Sequence, residues 1–343
     1  MSRLNWNDSI NLLSKLTLRR AWNATKVLSS YYLSKWTKKP VQWGYPISIS
    51  FEPTTSCNLR CPECPSGLRA FTRPTGMLRK GFFSETIDQL AKERLSLVFY
   101  FQGEPYLSPD FLNMVQYASK KKIYTATSTN AHYLNDENAR KTIESGLDRL
   151  IISIDGTTQE VYQQYRVGGN LNKVIEGATN IVKWKKNLKS KKPFIIFQFL
   201  VVKPNEHQIE DVKKLAKDIG VDDVWFKTAQ IYDYEKDPNH LIPSIDKYSR
   251  YRKTENSYEF KGKLANHCWR LWHDPVITWD GLVAPCCFDK DAQHQLGDLK
   301  KKSFKEIWKN GEYTKFRTQI LKGRKNIDIC SNCSEGTKVW SNN

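Results

Sequence analysis

The sequence lacks three features that would assign it to other classes of protein. No window approaches the roughly 18 uncharged apolar residues that a membrane-spanning helix requires. The N-terminus has no apolar core of the kind that secretory signal peptides carry. Acidic residues are scarce, 36 against 54 lysines and arginines, and the formal net charge is +18. We therefore expect a cytoplasmic protein without a transmembrane segment, with a surface that attracts anions.

The excess positive charge is concentrated in three segments. The N-terminal 39 residues hold eight Lys and Arg against one Asp, Lys183–Lys192 holds six Lys, and Lys300–Lys325 holds ten Lys and Arg against two Glu. Such segments attract an acidic electron donor of the flavodoxin or ferredoxin type, or an anionic membrane surface. Nucleic acid is a weaker expectation, because only Trp184 interleaves an aromatic ring with the lysine runs. A plain solvated basic surface is the remaining alternative.

The length of the chain predicts more than one domain. With 343 residues, 39% apolar and 12% aromatic, we expect one large domain and a smaller one. Residues 1–39 are predicted to form a basic helical extension that ends before Pro40, which cannot continue a helix. Two interpretations of this extension remain open: it packs on the main domain, or it lies on anionic lipid.

Residues 45–235 alternate between strand-like and helix-like segments. The predicted strands are apolar and β-branched, as expected of parallel strands buried on both faces: Ile47–Glu52, Ser96–Gln102, Ile123–Thr129, Arg149–Asp155, Phe194–Val202 and Asp223–Ile231. The predicted helices cover residues 82–94, 109–121, 135–145, 157–188 and 206–219. Six such units predict an α/β fold, either a partial (β/α) barrel or a doubly wound open sheet.

Three cysteines, Cys57, Cys61 and Cys64, follow the first predicted strand with the spacing Cx3Cx2C. Three thiolates on one loop can hold three irons of a [4Fe–4S] cluster, which usually has four Cys ligands. The next His or Cys in the chain is His132, so no fourth ligand is close in sequence. Because a structural zinc site needs four ligands, the trio predicts a cluster with one open iron that can chelate a substrate or cofactor.

This motif, placed directly after a strand, resembles the signature of the radical S-adenosylmethionine (SAM) enzymes. The resemblance implies that the open iron binds the amino and carboxylate groups of SAM. It also implies that an electron from the cluster cleaves SAM to methionine and a 5′-deoxyadenosyl radical, which abstracts hydrogen from a substrate. The implied fold is a partial (β/α)6 TIM-like barrel with its chemistry at the C-terminal strand ends. Glu63 departs from the family pattern, which often has an aromatic residue there.

Polar motifs after the second, third and fourth strands are similar to those that contact SAM in this family. The segment after the second strand resembles the GGEP motif, with Gln102 in place of the first Gly, and the segment after the third resembles TNG, with Ala131 in place of Gly. The guanidinium of Arg166, after the fourth strand, can form a bidentate pair with the SAM carboxylate. The residues that the resemblance assigns to SAM are Gly103, Glu104, Pro105, Ser128, Asn130, Ser153, Asp155 and Arg166.

The other five cysteines lie in residues 261–343, after a polar, irregular stretch at 236–260 that predicts a linker. Val276–Trp279 and Leu282–Ala284, joined by Asp280-Gly281, predict a β-hairpin, and a helix is predicted near Ser303–Leu321. Four thiolates suit a [4Fe–4S] cluster or an all-cysteine zinc site, and spacing alone does not distinguish them; they belong to Cys268, Cys286, Cys330 and Cys333.

This second pattern, Cx12Gx4C with a distant CxxC, is similar to the SPASM/twitch extension of radical SAM enzymes in its single-cluster form. The resemblance implies one auxiliary [4Fe–4S] cluster without an open iron, which suits electron transfer during substrate oxidation. Cys287 is spare, and we expect it to pack as a small apolar residue or to exchange with Cys286 as a ligand. The oxidation also needs a base, and the candidates are His267, His273, Asp274, Asp280 and Asp289.

The expected protein is therefore a radical SAM oxidoreductase or maturase with four parts: the extension 1–39, the core domain 45–235, the linker 236–260 and the SPASM/twitch-like domain 261–343. Oxidation of a sugar or other small metabolite and cross-linking of a peptide (RiPP maturation) both remain open as activities. Nucleic-acid modification and a non-catalytic zinc protein are less favoured alternatives.

Overall fold

The helices and strands below come from a computed structural model, which describes residues 6–335. The strands are β1 (Ser48–Phe51), β2 (Ser96–Val98), β3 (Tyr124–Thr129), β4 (Arg149–Ser153), β5 (Phe194–Val201), β6 (Asp223–Thr228), β7 (Tyr251–Lys253), β8 (Tyr258–Phe260), β9 (Val276–Ile277), β10 (Leu282–Ala284) and β11 (Gly297–Asp298). The α-helices are α1 (Trp6–Leu13), α2 (Leu18–Thr37), α3 (Pro65–Leu68), α4 (Lys80–Leu90), α5 (Phe111–Lys120), α6 (Asp136–Glu144), α7 (Gln159–Tyr165), α8 (Leu171–Asn187), α9 (Ile209–Ile219), α10 (Arg270–His273), α11 (Phe304–Trp308), α12 (Gly311–Gly323) and α13 (Asp328–Ser331).

Strands β1 to β6 pair in chain order and in parallel, with helices in the connections. The two faces of β4, and likewise of β5, enter different clusters. Leu150 and Ile152 join the main core, whereas Ile151 packs with Phe194 and Ile196 on the other face. This arrangement confirms the predicted α/β fold. The six parallel strands follow chain order without the reversal that a doubly wound sheet has, and the sheet does not close, as expected of a partial barrel.

The C-terminal region extends the same sheet. Strand β9 pairs in parallel with β1, and β10 and β11 follow as antiparallel neighbours, so the full order is β11-β10-β9-β1-β2-β3-β4-β5-β6. The hairpin predicted around Asp280-Gly281 is therefore present, and Gly281 has φ +94°, which favours glycine. The C-terminal region that contains the last five cysteines is therefore joined to the barrel through the pairing of β9 with β1.

Two predicted helices are each divided in the structure. The predicted helix over 157–188 ends with α7 and starts again with α8, because Gly168 has φ +80° between them and Asn170 caps α8 through Lys173 N. The predicted helix near Ser303–Leu321 divides into α11 and α12, and Asn310 caps the second. The predicted linker 236–260 contains the two-stranded sheet β7–β8. Parts of the predicted terminal segments, residues 1–5 and 336–343, lie outside the described residues.

Helices α1 and α2 pack on the barrel. Asp8 of α1 accepts hydrogen bonds from Tyr124 Oη and Arg149 Nε, which belong to the first residues of β3 and β4, so α1 crosses the N-terminal ends of these strands. Farther along, Tyr31 Oη of α2 lies 2.9 Å from His267 Nδ1 in the C-terminal region. No helix within residues 6–335 combines the length and the apolar composition needed to cross a bilayer.

Candidate functional site

A cavity of about 230 Å³ lies where the cysteine loop meets the C-terminal ends of β2, β3 and β4. Parallel strands bring their C-terminal ends to one edge, so motifs far apart in sequence meet there. Nine of the predicted metal and SAM residues line the cavity: Cys57, Cys61, Cys64, Gly103, Glu104, Ser128, Asn130, Ser153 and Arg166. Pro105 and Asp155, which were also assigned to SAM, are not among the lining residues.

The cysteine loop is held by contacts that the motif itself does not reveal. Arg69 Nη2 donates to the Cys57 carbonyl at 2.7 Å, and Ser66 Oγ accepts from Gly103 N at 2.9 Å. Gly67 leaves no room for a side chain, since a Cβ there would lie 2.5 Å from Cys61 N. The loop and α3 therefore form one rigid unit that fixes the three thiols against the end of β2.

The segment after β2 places a glycine and a carboxylate at the cavity. Gly103 has φ +74°, and a Cβ there would lie 2.2 Å from the Thr54 carbonyl oxygen, so only glycine fits. The Glu104 carboxylate accepts from Thr129 Oγ1 at 2.7 Å and from Asn130 N at 2.8 Å. Burial raises the pKa of Glu104 to about 7 despite these donors. Pro105 starts a short 3₁₀ turn behind this carboxylate.

Ala131 retains the backbone conformation of the glycine that it replaces. Its φ is +64°, in the left-handed region, at a cost of roughly 1–2 kcal/mol for a residue with a Cβ. Next to it, His132 Nδ1 lies 3.0 Å from the Asn130 carbonyl, and Nε2 accepts from Asn170 N at 2.8 Å. Both ring nitrogens are thus engaged in shaping this turn, so His132 does not act as a fourth ligand for the cysteine loop.

Arg166 lies between a thiol and a carboxylate. Its Nη1 is 3.8 Å from Cys61 Sγ, and its Nε donates to Asp155 Oδ2. Asp155 also accepts from Leu200 N at 2.7 Å and is fully buried, so it orients Arg166 from behind the cavity wall. Burial raises the pKa of the Cys61 thiol, and the Arg166 guanidinium opposes that rise.

The two departures from the family motifs have visible contacts. Glu63, in the place of an aromatic residue, accepts from Tyr232 N at 2.8 Å and thereby connects the cysteine loop to the segment after β6. Gln102, in the place of a glycine, has its Oε1 3.9 Å from Cys64 Sγ. These polar side chains stabilise the loop in ways that the motif comparison did not predict.

The three thiols fit one side of an iron–sulfur cluster. Burial raises the pKa of Cys57 to about 11, so without a metal this thiol is protonated at neutral pH, whereas coordination deprotonates a thiol. The remaining walls carry hydroxyl, amide, carboxylate and guanidinium groups, which suit a polar cofactor with amino and carboxylate groups. The donor set therefore fits a three-cysteine cluster with a chelating partner.

The thiols of Cys268, Cys330 and Cys333 lie near one another, and the thiol of Cys286 lies near those of the adjacent Cys287, Cys268 and Cys333. Burial raises the pKa of Cys330 to about 12 and that of Cys333 to about 11, while the nearby Arg324 lowers both. Arg324 Nη2 lies 3.2 Å from Cys333 Sγ. A set of four thiols beside a guanidinium, with Cys330 and Cys333 buried, fits an anionic cluster with all irons ligated by cysteine.

Neither set is arranged around one ion. Within residues 6–335, no three His, Cys, Asp or Glu side chains are placed to hold a single metal. A zinc ion needs its thiolate sulfurs about 2.3 Å away, whereas the thiols of a four-iron cluster bind different irons and need not converge.

Cys287 has different neighbours from Cys286. It packs against a small apolar cluster formed by Phe101, Val276, Ala284 and Ala292. Burial raises the pKa of Cys287, and the charged groups that influence it include Arg270 and Lys290. Phe101 also lines the cavity, so Cys287 lies on the barrel side of the C-terminal region.

None of the five candidate bases is among the residues that line the cavity. His267 contacts Tyr31 Oη, His273 stacks on Trp269 with ring centroids 4.4 Å apart, and Asp274 forms an ion pair with Arg270 at 2.7 Å. Asp280 accepts from Thr278 Oγ1 within the hairpin, and Asp289 accepts from Gln293 N and His294 N. A catalytic role for any of them stays a prediction.

Sequence reasoning missed Lys290, which lies between the two cysteine sets. The groups that influence its charge are Cys64 of the first set, Cys287 beside the second, Glu63 and the cation Arg250. The ammonium lies 4.4 Å from the centroid of the Tyr232 ring, and burial lowers the pKa of Lys290. No signal in the sequence could have indicated this position, because it depends on how the C-terminal region docks on the barrel.

Known protein families match both cysteine-bearing segments. A model described as the radical SAM superfamily matches residues 51–219, and one described as an iron–sulfur cluster-binding domain, SPASM, matches residues 268–334. The chain is 25% identical over 329 residues to the tungsten-containing aldehyde ferredoxin oxidoreductase cofactor-modifying protein of Pyrococcus furiosus, covering 83% of this chain and 86% of that relative. It is 24% identical over 329 residues to the AdoMet-dependent heme synthase of Methanosarcina barkeri, covering 84% and 91%.

A solved structure shares the fold. Native anSMEcpe with bound AdoMet and the Cp18Cys peptide is 19% identical, has a TM-score of 0.60, and the match covers 87% of this chain and 92% of that chain. At this level of identity the likeness concerns the fold alone. The matched length includes both the barrel and the C-terminal region.

Proposed function

The chain belongs to the radical SAM superfamily and carries a C-terminal SPASM domain, and we propose that it oxidises a small anionic metabolite held between its two cysteine sets. The family membership confirms the resemblance found in the motifs. When bound, SAM and the iron–sulfur clusters of such an enzyme supply reductive SAM cleavage, hydrogen abstraction from the substrate and an acceptor for the electron that the substrate loses. The protein supplies binding, orientation and exclusion of water.

The single observation that supports this proposal is the cavity at the strand ends, which the three thiols of the first cysteine set line together with polar side chains. Cys57, Cys61 and Cys64 would hold the SAM-binding [4Fe–4S] cluster there, and Cys268, Cys286, Cys330 and Cys333 the auxiliary one. Around the SAM position, we assign the Glu104 carboxylate to the amino group and Arg166, held by Asp155, to the carboxylate. Gly103, Ser128, Asn130 and Ser153 complete the wall.

The anionic character of the substrate is inferred from Lys290. Lys290 is partly buried and its ammonium lies over the Tyr232 ring, but no carboxylate among residues 6–335 lies within ion-pair distance, 4.0 Å, of it. An anionic group on the substrate would provide an ion-pair partner. It would also place the substrate beside Cys64, next to the SAM position, and on the path towards the second cysteine set.

A peptide with an acidic side chain is the second candidate substrate. The compared anSMEcpe structure holds a peptide together with AdoMet, whereas the relative from Methanosarcina barkeri is named a heme synthase. The half-exposed ring of Tyr232, which lies against Lys290, gives a ligand of either size access to this ammonium.

The test compares the products that the enzyme and its variants form from fractions of a cell extract. Anaerobically loaded protein is incubated with reductant, SAM and either the small-molecule or the peptide fraction of a cell extract, and mass spectrometry searches for products that have lost two hydrogens. We expect products in the small-molecule fraction that carry a carboxylate or phosphate. Lys290→Ala should abolish their formation and retain SAM cleavage without substrate, while Lys290→Arg restores part of it. Products without an anionic group, or full activity of Lys290→Ala, would contradict the proposal.

We further propose an electron donor of the flavodoxin or ferredoxin type and a cytoplasmic location. The basic segments Lys183–Lys192 and Lys300–Lys325 would attract an acidic donor, with rates that fall as salt rises. Cytoplasmic conditions keep thiols reduced for loading with iron. Stopped-flow reduction by each donor class over a range of salt concentrations measures this preference, and a rate independent of salt would count against electrostatic docking.

A further inference from the structure

Helix α2 is amphipathic in the opposite sense from an ordinary surface helix, which turns its apolar side inward. The side that faces the barrel is largely polar: Arg20, Asn23, Ser30 and Ser34 are buried beside Val27 and Tyr31. These polar groups are satisfied by backbone carbonyls. Arg20 Nη1 donates to the Lys15 carbonyl at 2.7 Å, and Asn23 Nδ2 donates to the Tyr45 carbonyl at 2.8 Å. Helix α2 is attached by hydrogen bonds, such as that from Arg20 Nη2 to the Ala91 carbonyl at 3.1 Å, and by the apolar contacts of Val27 and Tyr31 with the core.

The opposite side of α2 is apolar and aromatic. Leu18 is 93% exposed, Trp22 63%, Tyr32 56% and Trp36 86%. At 100° per residue these four side chains fall within about 80° of the helix circumference. Helix α1 continues the pattern at helical spacing, with Trp6, Ile10 and Leu13 exposed. We call these seven residues the outer face.

The outer face is not part of a general excess of exposed apolar residues. Ten of the seventeen large hydrophobic residues that are exposed within residues 6–335 lie between Trp6 and Trp43. Every tryptophan in this exposed group, among the residues described, belongs to that segment. A concentration of exposed apolar side chains in one segment marks an interaction site rather than ordinary surface variation.

Cations flank the outer face and acids are missing from it. Lys26 and Lys35 lie on either side of the aromatic stripe, and Lys38 and Lys39 follow its end. In the described part of the chain, no carboxylate lies within 4.0 Å of these four ammonium groups. The first 51 residues contain no Glu, and Asp8, the single Asp among them, is buried against the barrel. The surface therefore combines exposed tryptophans with uncompensated positive charge.

From this combination we propose that the outer face binds the surface of an anionic lipid bilayer. Tryptophan and tyrosine prefer the headgroup level of a membrane, and lysines beside them attract anionic headgroups. A helix of this type lies in the plane of the interface and does not cross the bilayer. A second copy of the chain is a poor occupant, because face-to-face packing would bring Lys26 and Lys35 of both copies together. The barrel remains outside the membrane, held by α2.

Vesicle co-sedimentation of the full, cluster-loaded chain tests the proposal. The probes are vesicles of phosphatidylcholine alone and of equal parts phosphatidylcholine and phosphatidylglycerol. We expect binding to the anionic vesicles that weakens at high sodium chloride, because salt screens exposed charges. Substituting Leu18, Trp22 and Trp36 together by Ala should reduce the partition coefficient by at least about tenfold. Substituting Lys26, Lys35 and Lys39 by Ala should reduce it by about fivefold per lysine, and on anionic vesicles only.

Two matched control variants distinguish binding through the outer face from nonspecific binding by other exposed residues. In the first control, the exposed apolar residues Leu188 and Ile245 are replaced together by Ala. In the second, the exposed lysines Lys186, Lys191 and Lys300 are replaced together by Ala. Both variants should bind vesicles like the unmodified chain. Unchanged iron content shows that each variant is folded. The proposal is wrong if the chain ignores both vesicle types, or if the controls lose binding equally. It is also wrong if the outer face proves to mediate a lipid-independent dimer in sedimentation velocity, which the Leu18, Trp22 and Trp36 variant abolishes.

Discussion

The two cysteine sets differ in how the chain assembles them and in what surrounds them. The first set comes from one loop of eight residues and opens onto a cavity with polar walls. The second set is gathered from a hairpin and a distant CxxC pair, and has four thiols with Arg324 beside them. A local trio leaves one position for a ligand, whereas a quartet is closed. The difference shows how one chain can separate the site of bond cleavage from a site that only exchanges electrons.

The largest expected effect comes from removing the local trio. Replacing Cys57, Cys61 and Cys64 together by Ala should abolish SAM cleavage, because these three thiols are the ligands proposed for the SAM-binding cluster. Iron should fall from about eight to about four atoms per chain. The formation of 5′-deoxyadenosine and the bound iron measure the two effects. Retained SAM cleavage would contradict the assignment of these three cysteines to the SAM-binding cluster.

Removing the CxxC pair should separate cleavage from oxidation. Replacing Cys330 and Cys333 by Ala should again lower iron to about four atoms per chain, while 5′-deoxyadenosine still forms. Substrate oxidation should be lost, because its electron has no acceptor. If this variant lost SAM cleavage as completely as the trio variant, the proposed division of labour would be contradicted.

An intermediate effect is expected at Glu104, which lines the cavity beside the first cysteine set. Its pKa of about 7 means that the carboxyl is protonated below that pH and charged above it. Affinity for the SAM amino group should therefore rise with pH through 7, and be up to about tenfold weaker one pH unit below. Isothermal titration over this range measures the profile.

Two variants sharpen the prediction at Glu104. Glu104→Gln should bind SAM weakly at every pH, because its amide cannot gain the charge. Glu63→Gln should retain the pH dependence, because Glu63 bonds to Tyr232 N and does not line the cavity. A flat profile in the unmodified chain would show that Glu104 does not contact the amino group.

The smallest effect is expected at Cys287. Cys287→Ser should leave iron content and SAM cleavage unchanged, because its side chain packs with the apolar side chains of Phe101 and Val276. The neighbouring variant Cys286→Ser should lower iron towards about four atoms per chain. Equal iron loss in both would show that the adjacent cysteines exchange as ligands, and would weaken the contrast between a fixed trio and a fixed quartet.

Much of the fold, and much of the cavity beside the first cysteine set, could be predicted from local sequence. The Cx3Cx2C loop, the six strands and the polar residues at their ends follow from spacing and periodicity, together with the family resemblance, and parallel pairing then brings them to one edge. Helix boundaries were less predictable. The break between α7 and α8 depends on Gly168 in a left-handed conformation, which the helical pattern around it obscured.

The sequence by itself determined the contacts that are short along the chain, such as the cysteine loop, because spacing alone decides which of those groups can meet. Only the tertiary structure decided which distant groups meet. Strand β9 pairs with β1, Asp155 holds Arg166, Lys290 lies near Cys64, and α2 turns its tryptophans outward. Each depends on how whole elements dock, and docking energy is summed over many contacts that no single stretch of sequence contains.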